Sequence, residues 1–271
     1  MWKLYPSIPA KDLEVCLEKT SMYFNLDTYK AKISLFEQFL EETIKTFDGC
    51  FGRYKPKRMI TNKLVWVKIP SQKTNYQMRL VNNIPFDFAK AEFDIHKIAY
   101  KNHIAPKPIE LVVCQKGKSS LFGVVMELMD GDLRDLLLMK LPTAKLKSVF
   151  SQIRKIVEKV YNKLDLEILY LDIESIGFRL TEGGNYTILI CDWEMAKPIS
   201  LSDDMERKYV FTIFSLEQSF LEFVNMVVHR SEHERIKAAF NKVFHSSSIN
   251  SQFQNKFPFQ NQRLGKNDKE V

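Results

Sequence analysis

Two aspartates, Asp172 and Asp192, bracket a hairpin within the stretch 168–198, ILYLDIESIGFRLTEGGNYTILICDWEMAKP. The runs FRL and YTILIC read as paired strands around the turn TEGGN, where Gly183-Gly184 supply the positive φ of a tight hairpin. Antiparallel pairing brings the acid before the hairpin close to the acid after it. One carboxylate so placed can orient a hydroxyl while the other holds Mg²⁺ on a nucleotide's phosphates. That is an arrangement for phosphoryl transfer. Taken singly, each aspartate is equally an ordinary loop acid after a buried strand.

Elements upstream must supply the rest of such a site. Lys68 closes the apolar run Val65-Trp66-Val67-Lys68. A lysine within an apolar strand calls for an anion or a carboxylate partner, and a solvent-facing strand lysine is the alternative. Residues 83–103 read as a helix with Phe88, Ala91, Phe93, Ile95, Ile98 and Ala99 on its apolar side and Glu92 in its middle. Glu92 is the best placed acid for Lys68, with Asp94 and Glu110 as rivals. IELVVCQ and LFGVVMELM then form an apolar hairpin about a KGKSS turn. A long amphipathic helix, TAKLKSVFSQIRKIVEKVYNKL, leads directly into the aspartate-bearing stretch.

In type and order these residues resemble the catalytic core of the protein-kinase-like fold, over residues 46–245. The resemblance implies an α+β, two-lobed architecture, with a small antiparallel-sheet N-lobe (46–129) and a mostly helical C-lobe (130–245). It implies ATP, with Mg²⁺ or Mn²⁺, bound between the lobes. Gly49, Phe51 and Gly52 in FDGCFGRY match the later part of the family's phosphate-covering loop, with Phe47 replacing its first glycine. Lys68, 16 residues beyond Gly52, would pair with Glu92 and the phosphates. Met126-Glu127-Leu128-Met129 resembles the interlobe linker whose backbone reads the adenine edge, which places Glu127 and Met129 at the cofactor. Asp132 falls where the family often sets an acid on the ribose, and a helix N-cap accounts for it equally well. Asp172 matches the acid that orients the acceptor hydroxyl, and Asp192 the metal ligand.

The chain also departs from the family. Tyr170-Leu171 replace the His-Arg before the catalytic aspartate, Glu174 replaces a lysine two residues after it, Gly177 stands for an asparagine metal ligand, and Glu194 for a glycine. A carboxylate where a cation should face the γ-phosphate reverses a transition-state interaction. Glu174 and Glu194 are alternatively extra metal ligands beside Asp192. The tyrosine variant resembles divergent kinases of large DNA viruses, and Asp-Trp-Glu resembles small-molecule kinases of the aminoglycoside and choline type. The ten or so residues after Asp192 hold no Ala-Pro-Glu and no room for a peptide platform. Three functions follow: an atypical serine/threonine phosphotransferase acting on protein, a pseudokinase serving as a binding or scaffold module, and a small-molecule kinase.

The totals set the frame. At 45% hydrophobic and 27% charged, 271 residues suit one two-lobed globular domain or two small ones. No apolar run reaches a membrane span and the start is no secretory signal. Four scattered cysteines without a C-x-x-C pair suit reduced thiols, hence a cytoplasmic setting. A net charge of +7 attracts polyanions, but no basic cluster is interleaved with aromatics, so nucleic acid is not an expected partner. A protein substrate or protein partner is. Residues 1–45 read as a helical extension, with Ile33, Phe36, Phe39, Leu40 and Ile44 at helical spacing, and 246–271 as a disordered polar tail. His229 and His233, lacking a third ligand, read as a polar helix face rather than a metal site.

Overall fold

The computed structural model describes residues 53–59, 64–82, 84–116, 119–199 and 205–245. The expected helices of 1–45, the loop residues Gly49, Phe51 and Gly52, and the tail 246–271 lie outside the described residues. Strands β1 (Lys55–Met59), β2 (Leu64–Lys68), β3 (Asn75–Asn82), β4 (Pro108–Lys116) and β5 (Ser119–Glu127) form an antiparallel sheet in the order β1-β2-β3-β5-β4. Helix α1 (Phe86–Lys101) joins β3 to β4. The rest is mostly helical: α2 (Leu133–Leu138), α3 (Thr143–Lys163), α4 (Met205–Met226) and α5 (Arg230–Phe244). Short strands lie among these helices: β6 (Gly131–Asp132), β7 (Leu166–Ile168), β8 (Ile176–Leu180), β9 (Tyr186–Ile190) and β10 (Ala196–Pro198). This mixed architecture, an antiparallel sheet with one helix followed by a helical region, fits a kinase-like fold.

Alternation along β3 decides what faces the site. Met78 and Leu80 pack with Val67, Leu121 and Val125 on one side of the sheet. The intervening Gln77 and Arg79 must therefore point to the opposite side. There they stand across from Met126 and Val124 of β5, which pack with Leu189 and Cys191 of the β9 hairpin arm. Both Gln77 and Arg79 are buried.

The buried stripe of α1 is Ala89, Glu92, Ile95, His96 and Ala99. It corrects the apolar side expected from sequence, since Phe88 and Ile98 are exposed, at 68% and 44%, as is Ala91. Ile95 and Ala99 are buried as expected, but an acid and an imidazole share the inward face with them, which hydrophobic periodicity alone does not anticipate.

In the helical region Phe150 of α3, Phe220 of α4 and Phe240 of α5 meet as one aromatic cluster. Helix α4 is not buried all round. Val210, Phe211 and Phe214 are each more than half exposed, and with Leu169, Arg207 and Lys208 they line an open groove of about 510 Å³. The opposite side of α4 carries hydroxyls that fix the loop leading to Asp172. Ser215 Oγ accepts from Leu171 N at 3.0 Å, Ser219 Oγ accepts from Ile173 N at 3.2 Å, and Thr212 Oγ1 donates to the Ile168 carbonyl. Glu167, fully buried on β7, pairs with Lys197 of β10 and Lys208 of α4, which ties the base of that loop to the same helix.

Candidate functional site

The hairpin forms in the expected register, with Ile176 opposite Ile190 and Leu180 opposite Tyr186. In its turn Gly184 alone of the two glycines takes a positive φ, +68°. The pairing continues beyond the strands, because Cys191 N donates to the Ser175 carbonyl at 2.7 Å. Asp172 and Asp192 consequently stand at the same open end of the hairpin. The strand expected to run up to Asp172 stops at Ile168, where β7 pairs with β10.

Asp172 begins a single 3-10 turn (Ile173–Ser175), and its Oδ1 accepts from both Ser175 N and Ser175 Oγ at 2.7 Å. Its side chain is partly exposed beside the exposed Tyr170. Asp192 has a different environment. Its Oδ1 accepts from Arg79 Nε at 2.5 Å and from Glu194 N at 3.0 Å. The same guanidinium reaches Glu92, Nη1 to Oε1 at 3.0 Å, and pairs through Nη2 with Glu194. One buried cation thus joins three carboxylates from α1 and from the segment after β9.

Arg79 is the residue that sequence reasoning missed, and Lys68 the one it misassigned. Lys68 ends β2 next to the β2–β3 turn, opposite Asn75, whereas Arg79 lies level with Leu64 at the other end of β2. Four strand residues separate the two levels, about 13 Å along the sheet. The partner of Glu92 is therefore Arg79. Of the rival acids, Asp94 pairs with Lys90 and Lys97, and Glu110 with Arg53 and the Tyr54 hydroxyl. The usable signal was the strand directly preceding the Glu92 helix, YQMRLV, where a guanidinium interrupts alternating apolar residues.

Burial would lower the Arg79 pKa, but Asp192, Glu92 and Glu194 outweigh it and raise it above the ordinary value. Next to this cluster His96 is buried, with Nε2 donating to the Pro106 carbonyl at 2.9 Å. Desolvation pushes its pKa down from 6.5 to about 4, against the raising effects of the Pro106 bond and Asp192. Folded protein thus keeps His96 neutral where the unfolded chain takes up a proton. Stability then falls as pH drops from about 6.5 towards 4, by about 1.4 kcal/mol per unit from this group. Replacing His96 with Gln should flatten that slope, so that urea unfolding at pH 5 and pH 7 differs by about 2 kcal/mol less than in wild type.

The remaining expected site residues are engaged elsewhere. Asp132 is buried, N-caps α2 in a capping box with Asp135, and pairs with Arg134 Nη2 at 2.6 Å. Of its two suggested roles, the N-cap is the one its geometry fills. Arg134 also reaches Glu174, Nη1 to Oε1 at 3.0 Å. Glu127 pairs with Arg179. Met129 N donates to Gln77 Oε1 at 3.3 Å. Gly177 faces a closed wall, since a Cβ there would meet Cys191 Sγ at 2.8 Å and Met129 Cγ at 2.9 Å. His233 Nε2 is bonded to the Val228 carbonyl and His229 N-caps α5, as suits structural roles.

ATP and a divalent metal are the groups implied by the family likeness, and the carboxylates expected at the metal are each paired with a guanidinium. Asp192 and Glu194 face a guanidinium, and Glu174 is held by another. Among the described residues no group of three or more His, Cys, Asp or Glu is arranged to hold a metal ion. Among the described residues no helix is long and apolar enough to cross a membrane.

No protein-family model matches the chain, and no curated protein matches it. Among solved structures it is similar to the yeast RNA Pol II CTD kinase CTDK-1 complex, with 15% sequence identity and a TM-score of 0.43. That likeness covers 55% of this chain and 48% of the other, so the chain spans about half the length of the structure it matches.

Proposed function

We propose that this chain is a pseudokinase: a two-lobed kinase-like domain, 46–129 and 130–245, that serves as a binding or scaffold module for a protein partner. One observation carries the reading, the buried Arg79 joined at once to Glu92, Asp192 and Glu194. A phosphoryl-transfer site needs its cation directed at phosphate and its acid at a metal. The pair with Glu92 is compatible with such a site; here the same guanidinium also takes up Asp192 and Glu194, the acids a metal would use, and releasing them would leave charges without partners. The Glu174–Arg134 pair supports the same conclusion, because the position beside the transferring phosphate carries an acid already neutralised from α2.

Active phosphotransfer has one observation in its favour, the partly exposed Asp172 carboxylate at the open end of the hairpin. The two readings separate in one assay. Wild type and Asp172→Ala are incubated with radiolabelled ATP, Mg²⁺ or Mn²⁺, and panels of protein and small-alcohol acceptors. Incorporation equal in both and equal to the blank is expected. Asp172-dependent labelling of any acceptor would overturn the pseudokinase reading.

A further inference from the structure

The groove along α4 turns Val210, Phe211 and Phe214 towards water, with Leu169 beside them. A contiguous apolar surface of this kind marks a place where another segment packs. What covers it follows from the course of α5. Phe240 stacks on Phe220, and beyond it His245 Nε2 donates to Glu217 Oε1 at 3.2 Å. Advancing along α5 therefore means going back along α4, and the C-terminal end of α5 heads towards Phe214. Val210, Phe214 and Glu217 fall at i, i+4 and i+7, which is one row of the helix surface. About 10 Å of helix axis separates Glu217 from Val210. The chain leaving His245 thus begins at the end of the groove and points along it.

Residues 246–271 lie outside the described residues, and their sequence holds the matching chemistry. The stretch 249–262, INSQFQNKFPFQNQ, sets Ile249, Phe253, Phe257 and Phe259 among amides and carries a single charge, Lys256. The reading of this part as a polar tail leaves those four side chains without a role. Four extended residues reach about 13 Å and eight about 26 Å, so Ile249 and Phe253 both reach the groove from His245. Covering the groove with this stretch removes aromatic surface from water on both sides and desolvates little charge, since Lys256 has a long stem on which to keep its amine in solvent. Attachment decides between this occupant and any other. A segment tethered this closely acts at an effective concentration of about a millimolar, which a separate partner at micromolar concentration matches only by binding about a thousandfold more tightly.

We propose that residues 249–259 of this same chain occupy the α4 groove, their aromatic side chains against Val210, Phe211 and Phe214. The inference stands apart from the pseudokinase reading and holds whether or not the chain transfers phosphate.

The test uses the full chain with the photo-cross-linking residue p-benzoylphenylalanine at position 211, and in a second protein at position 214, where exposed phenylalanines already stand. Both proteins are checked for folding by circular dichroism, irradiated, and mapped by mass spectrometry. Adducts should fall within 249–262 of the same chain, with a yield that stays constant across about a fiftyfold range of protein concentration. Phe253→Ser, Phe257→Ser and Phe259→Ser combined keep the tether and remove its aromatic contacts, and the yield should fall at least about tenfold. A smaller fall would show that nearness alone makes the adduct, and would overturn the proposal. Adducts to a second copy that grow with concentration, adducts to residues 1–52, or no adduct at either position would overturn it as well.

Discussion

Arg79→Met should lower the unfolding free energy by about 3–5 kcal/mol, measured by urea denaturation at pH 7. The methionine fits the volume but leaves Glu92, Asp192 and Glu194 crowded with no cation between them. Water reaches this place poorly, since Arg79 and Glu92 are almost wholly buried, so the repulsion is weakly screened. Protonating the crowded acids removes that repulsion, and the deficit against wild type should narrow as pH falls from about 7 to about 4. Arg79→Lys keeps a charge but cannot present separate N–H groups to three carboxylates. An intermediate loss of about 1–3 kcal/mol is expected. A methionine variant as stable as wild type at pH 7 would show that the cluster is not held by its cation. The proposed function would then lose its main support.

Phe240→Ala should cost about 3–5 kcal/mol, read as a fall in Tm of about 10 °C. Phe240 stacks on Phe220 at 4.4 Å and 13°, meets Phe150 edge-on at 5.3 Å, and leans on Phe244 at 4.5 Å. No small shift of one helix can fill the space left between three, because α3, α4 and α5 all border it. Phe240→Leu keeps most of the volume and should lose about 1–1.5 kcal/mol. Equal losses for Ala and Leu would mean that ring geometry, rather than filled volume, sets the stability of the helical region. A loss below 1 kcal/mol for Ala would mean that α5 is dispensable to it.

The sequence was most readable where one element acts alone. The β8–β9 hairpin, the long α3 and the order of elements follow from turn residues and periodicity that need no distant partner. Glu92, Asp192 and Glu194 were found because each lies at a fixed offset from such an element. What failed depends on the pairing of separate segments. Choosing Lys68 over Arg79 needs the β2–β3 register, which only the fold supplies. The inward face of α1 was legible only in Ile95 and Ala99, because the burial of Glu92 and His96 is set by Arg79 and Pro106, which accept an acid and an imidazole where periodicity expects apolar side chains. The same holds for α4, whose Ser215, Ser219 and Thr212 are explained by loop backbone rather than by propensity. Polar residues on buried faces carry their meaning in a partner.

Gly177 bears on how the chain can change. Installing an asparagine there drives its first side-chain carbon against Cys191 Sγ and Met129 Cγ, both buried in the core, so both must shift. A single replacement is consequently self-defeating. Any side chain at this position requires smaller neighbours just beyond β9 and in the linker first, each of which loosens the core. The position thus constrains two neighbouring segments together, and neither can be enlarged or refilled alone.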